Sequence, residues 1–288
     1  AAQERGRTLT RTRHSLGRTV GNYLGVIVIV VWALAPFYWM LVTAFRDKSH
    51  TFDTFPLPSH LTLANFSEAL ATDKGNNFLA SIGNSLIIGA ATTAIALVVG
   101  VFTAYALARI DFRGKGFVTG IILGASMFPG VALVTPLFQL FGDLGWIGTY
   151  QALIIPNISF VLPLTVYTLT SFFRELPWKL EEAARVDGAS RSLAFRKIIL
   201  PLAAPAVFTT AILAFINTWN EFMLAKQLST TATEPVTVAI ARFSGANAYE
   251  YPYAAVMAAG AIVTVPLVIM VLVFQRRIVS GLTAGGVK

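Results

Sequence analysis

Six stretches of this chain each run for more than twenty residues without one charged side chain. They are Leu24–Phe45, Phe78–Ala108, Phe117–Gly142, Leu144–Phe173, Ile198–Asn220 and Tyr251–Gln275. A helix needs about 20 mostly apolar residues to cross a bilayer. Inside the bilayer, only a helix or a closed barrel satisfies its own backbone groups. Runs this long therefore predict six transmembrane helices and an all-α membrane protein. Composition agrees. Only 12% of residues are charged and the mean hydropathy is +0.67, whereas soluble domains carry about 25% charge.

The Lys and Arg residues set a predicted orientation. If the N-terminus is inside, the outer segments hold only Arg46, Lys48, Lys74, Lys226 and Arg242, leaving 17 of the 22 basic residues inside. By the positive-inside rule, both termini are then cytoplasmic. This asymmetry also accounts for the net charge of +8, so nucleic-acid binding is not needed to explain it. The first apolar run is longer than the core of a cleavable signal and reads as a retained helix. Residues 1–19 read as a polar, basic cytoplasmic start, 20–275 as the membrane domain and 276–288 as a cytoplasmic tail. Loops 46–77 and 226–250 fall outside.

Some chemistry is excluded. The chain has no cysteine, so disulfides and thiolate metal sites are ruled out. His14, His50 and His60 sit in polar segments and suggest no ligand cluster. No G-x-x-x-x-G-K-[ST] loop occurs, so the chain cannot bind ATP phosphates in that way. No paired carboxylates inside the spans suggest proton coupling.

The cytoplasmic loop 174–197 is the exception to the apolar pattern. Pro177 suits a helix start. Leu180, Ala183 and Ala184 form an apolar stripe flanked by Glu181, Glu182 and Arg185. Gly188 follows Asp187 as a stop signal, and Ser190 can cap a second helix. Three readings compete: a solvated loop, a DNA-binding helix–turn–helix, or a helix that docks into a partner's groove. Tethering to spans on both sides disfavours the second.

Glu182-Ala183-Ala184, Gly188, Ile198, Leu200 and Pro201 fit the pattern EAA-x3-G-x9-I-x-L-P. This resembles the signature loop of permease subunits in bacterial binding-protein-dependent ABC importers. The stretches "FINTWNEFMLA" and "QRRIVSGLTAGGVK" resemble the sugar-importer branch, of maltose-transporter second-permease type. The nearest likeness within that branch is to actinobacterial trehalose importers. The resemblance implies a type I ABC importer permease fold. The expected partners are a second homologous permease, an ATPase dimer that binds ATP and Mg²⁺, and an extracytoplasmic sugar-binding protein. It implies that Glu182, Ala183, Ala184, Asp187 and Gly188 contact the ATPase. It implies the same for the tail residues Gly281, Leu282, Thr283, Ala284 and Gly285, although glycine and alanine there also suit a loose end. No cofactor is expected in this chain itself, and membrane lipid surrounds it.

Polar residues inside spans are costly and mark candidate substrate pathways. These are Asn84, Asn157, Phe160 beside it, Asn217, Trp219, Asn220 and Glu221. The asparagines could equally bond neighbouring helices, and Glu221 could be locally paired. The rival reading is an ATP-independent channel or secondary transporter, for which inverted repeats or charge rings would be expected. A membrane adaptor is a further alternative.

Overall fold

A computed structural model describes residues 16–58, 60–72, 77–243 and 251–284. Among the described residues the architecture is helical. In chain order the helices are α1 (Leu16–Ala44), α2 (Ala64–Leu70), α3 (Phe78–Arg109), α4 (Lys115–Ser126), α5 (Val134–Asp143) and α6 (Tyr150–Glu175). Then come α7 (Trp178–Val186), α8 (Arg191–Ala194), α9 (Leu200–Trp219), α10 (Met223–Leu228), α11 (Val236–Ala241) and α12 (Tyr253–Ala284). Among the described residues five unbroken spans are long and apolar enough to cross a membrane, and the bent pair α4–α5 makes six if it counts as one broken span.

α3, α6 and α9 form the centre of the bundle. Small residues bring their backbones close. A Cβ on Gly100 would lie 2.5 Å from Cγ2 of Thr165 on α6, so any larger residue there would require the Thr165 side chain or the helices to shift. This close approach is typical of helix pairs in lipid, where packing rather than apolar burial drives association. α1 stands apart. From Val20 to Trp39 its side chains are exposed, and it rests against α12, where Met40 reaches Gly260.

The third span differs from the expectation. Phe117–Gly142 is not one helix: α4 and α5 meet at 86° across a 3₁₀ turn, Gly130–Leu133. Pro129 disfavours helical backbone at the preceding Phe128 and donates no amide, so α4 ends at Ser126. Pro156 and Pro163 lie inside α6 without breaking it.

The fifth span begins earlier than Ile198. α8 runs through a π turn, Phe195–Ile199, directly into α9. The cause is Pro201. It cannot donate to the carbonyl of Lys197, and its ring crowds that carbonyl. The helix widens instead, and the Leu200 amide donates to the Phe195 oxygen. The second half of the charged loop is thus rigidly continuous with a span. At the chain's end, α12 continues past Gln275 through positions 281–284, so these tail positions are helical backbone. Gly285 lies outside the described residues.

Candidate coupling surface and substrate path

The C-terminal ends of α3 and α6 and the π turn that leads into α9 enclose Val101, Ala104, Leu169, Phe173, Phe195 and Ile199 in one buried cluster. α7 lies across this end. Tyr105 of α3 packs its ring against Phe195, with centroids 4.6 Å apart, and donates its hydroxyl to Glu181 Oε1 at 2.8 Å. One turn on, Arg109 donates through Nη2 to the Leu176 carbonyl at 2.6 Å. Its guanidinium also lies over the Trp178 ring, 4.5 Å from the centroid. The end of α3 therefore holds both the α6–α7 link and α7 itself.

α7 stops in a two-bond C-cap. The Ala189 amide donates to the Ala184 carbonyl at 2.9 Å, and the Gly188 amide to the Arg185 carbonyl at 3.1 Å. This pairing is the Schellman arrangement, which needs a left-handed residue. Gly188 supplies it with φ +87°. Ser190 then caps α8, accepting from the Leu193 amide at 3.2 Å. A rigid knee joins the two helices.

The knee divides the signature residues. Glu182, Ala183, Asp187 and Gly188 are exposed, as is Val186, which is 87% exposed. Glu182 and Asp187 have no ion-pair partner among the described residues. Ala184 is buried against the chain's own core. It therefore does not share the exposed face of Glu182, Ala183, Asp187 and Gly188. The predicted apolar stripe is corrected: Glu181 and Ala184 face inward, while Leu180 and Ala183 face out. An exposed aliphatic anchor among charged neighbours, Arg185 and Asp187, suits insertion into a partner's groove.

The predicted pathway residues divide as well. Asn84 is buried, and its Nδ2 donates to the carbonyls of Ala232 and Glu234, both at 3.1 Å. Its Oδ1 accepts from the Tyr150 hydroxyl at 2.6 Å. It clamps α3 to the segment between α10 and α11. Asn157 is buried and donates to the Leu153 carbonyl of its own helix. Trp219 is buried with Phe78, Ala44 and Val236 at the end of the bundle opposite α7. Phe160 packs over Gly130 at the bend of the third span. Glu221 accepts from the amides of Leu224 and Ala225, at 2.8 and 3.0 Å, and so caps α10. Burial pushes its carboxyl pKa up, and these backbone bonds only partly oppose that shift. It is the locally paired carboxylate that the sequence left open. Only Asn217 and Asn220 of the predicted set are exposed.

Residues 96–283 match the family described as binding-protein-dependent transport system inner membrane component. The chain belongs to this family. It is 43% identical over 276 residues to the trehalose transport system permease protein SugB of Mycobacterium tuberculosis, covering 95% of this chain and all of that one. It is 45% identical over 267 residues to the trehalose/maltose transport system permease protein MalG of Thermococcus litoralis, covering 92% and 95%. Among solved structures, it is similar to a bacterial ABC transporter involved in alginate import. That match has a TM-score of 0.72 at 22% identity and covers 91% of this chain and 98% of the other. This supports the permease fold. The matched region contains α7, Gly188 and α8.

Sequence reasoning missed Tyr105, Arg109, Trp178 and Glu181 as a unit. One signal was available: an arginine ending an otherwise charge-free span needs a partner, and the nearest polar segment in the fold is the charged loop. The pairing of His50 with His60, with ring centroids 4.4 Å apart, also lay beyond reach of the sequence.

Proposed function

We propose that this permease forms half of the translocation path of an ATP-driven ABC importer for a disaccharide or oligosaccharide. Trehalose is favoured and maltose-like sugars come next. The names of the relatives that are 43% and 45% identical support this choice of substrate. Both termini are cytoplasmic, in keeping with the basic residues. The partners are a second homologous permease, two ATPase subunits that supply ATP and Mg²⁺ binding, and an extracytoplasmic sugar-binding protein. A solved alginate transporter with its periplasmic protein, similar in fold, supports the last of these.

The observation that carries the reading is the knee of α7 and α8. Its outer face offers Glu182, Ala183, Val186, Asp187 and Gly188 to a groove. Its inner face is bonded to α3 and continuous with α9. A push on α7 therefore moves two central spans at once. Positions 281–285 would add a second contact with the ATPase. Exposed Asn217 and Asn220 face the sugar path, and the bend at Pro129 lies along it, because non-helical backbone at membrane depth requires a protein or water-filled surround.

The test is uptake of labelled trehalose and maltose by cells lacking this chain, with ATPase activity measured on the purified assembly. Restored trehalose uptake with sugar-stimulated hydrolysis is expected, and Gly188→Asp should insert in the membrane but abolish the stimulation. Uptake that continues without any ATPase subunit would replace this reading with a channel or secondary transporter.

A further inference from the structure

A cavity of about 310 Å³ lies between the end of α3 and the α7–α8 knee. We propose that it holds the phosphate of an anionic phospholipid from the adjoining leaflet. Arg109, Arg185 and Arg191 all line it. Arg109 is only 7% exposed, and its Nε and Nη1 are buried without an acceptor. Buried charged donors without partners are costly, and a guanidinium fork matches a phosphate well. Glu181 and Glu182 share the wall; Glu181 Oε1 accepts from Tyr105, and its Oε2 is buried without a partner. Three arginines against two carboxylates leave a positive surplus. Basic pockets between spans on the cytoplasmic side suit anionic headgroups.

The apolar part of the wall favours a lipid over free phosphate. Phe102 of α3 and Ile110, which follows its last residue, line the cavity and are exposed. Phe102 lies two turns into the span from Arg109 and offers an acyl chain an apolar surface beside the headgroup. Trp178, half exposed at the rim, is the kind of residue that settles at a membrane interface. A headgroup bound there would touch both α3 and the knee, so leaflet composition would bear on coupling.

The test uses the full-length chain purified in detergent with the subunits that accompany it. Equimolar phosphatidylglycerol and phosphatidylcholine are offered, and the lipids retained on the intact assembly are resolved by native mass spectrometry. Preferential retention of phosphatidylglycerol is expected. The double variant Arg185→Gln/Arg191→Gln should lower that preference by roughly thirtyfold, from the loss of two interfacial charges. If the double variant does not assemble, Arg191→Gln alone should lower it by a smaller factor. Equal retention of both lipids by the unaltered chain would overturn the proposal, as would an unchanged preference in the variants. Excess inorganic phosphate should leave the lipid in place. Its displacement would assign the cavity to a soluble phosphate and overturn the lipid source.

Discussion

Tyr105 and Glu181 lie 76 positions apart and are joined by a hydrogen bond of 2.8 Å, the phenol donating to the carboxylate. Among the described residues it is the one hydrogen bond between side chains of α3 and α7, beside the stacking of Arg109 on Trp178. Glu181 is buried, and its second oxygen has no partner. Tyr105→Phe leaves the carboxylate with no donor at all, at a cost of about 1–3 kcal/mol. The thermal midpoint of the purified assembly should fall. The ratio of sugar-stimulated to basal ATPase activity should fall with it, because α7 is then held to α3 only through Arg109. A lowered midpoint with an unchanged ratio would make the bond structural only.

Gly188 permits a second, separable test. No atom lies within 4 Å of where its Cβ would be, so a side chain there meets only the conformational penalty of φ +87°. That penalty is roughly 1–2 kcal/mol for alanine and less for asparagine. If the knee's shape is what matters, coupling should decline from glycine to asparagine to alanine. If asparagine is the more damaging of the two, the surface at position 188 is in tight contact with a partner, and bulk rather than φ decides.

Asn84→Ala removes three hydrogen bonds and strands the buried Glu234 carbonyl, while the Ala232 carbonyl and the Tyr150 hydroxyl are part-buried and can turn to water. A loss of about 1–3 kcal/mol is expected from the unmet buried group. Denaturation in detergent should register it, and the KM for sugar should stay near its original value in whatever protein remains folded. A normal midpoint with a raised KM would return Asn84 to the substrate path.

These cases show what the sequence could carry. Five spans were legible because twenty apolar residues in a row admit few alternatives. The knee was legible because Gly188 and Ser190 carry local instructions: a left-handed position and a helix cap. The break at Pro129 was not, since Pro156 and Pro163 show the same residue accommodated inside a helix. Nor was the role of Asn84 or Glu221. A polar residue in an apolar segment signals that it needs partners, but not where they are. For Asn84 two of them lie 148 and 150 positions away.

Glu221 carries a pH signature. Its folded-state pKa is raised above the ordinary value of 4.5, burial outweighing the amide bonds. A raised folded pKa means that protonation favours the folded state. Its contribution is fully present below the unfolded pKa and is lost as pH rises through the folded one. Stability should therefore rise, from this group, as pH falls from neutral toward 4.5. Glu221→Gln should flatten that part of the curve. Thermal midpoints of both proteins across this range give the comparison, and parallel curves would show that Glu221 is not the titrating group.

Asn217 on α9 and Asn220, the residue at its C-cap, are three apart and both exposed, so they fall on one side of the helix end. An amide facing acyl chains is costly, so this face must meet water, sugar or another helix. Asn220 already returns one donor to its own helix at Ile216. The double variant Asn217→Leu/Asn220→Leu tests which surround is real. If the face lines the sugar path, assembly and basal ATPase activity should survive while the KM for uptake rises by several-fold, as expected when about 1 kcal/mol per lost hydrogen bond is removed. If the face packs on the second permease, the assembly itself should dissociate more readily in detergent, with the KM of the remainder unchanged. A stabilised assembly with unaltered uptake would place the face in lipid and remove both residues from the path.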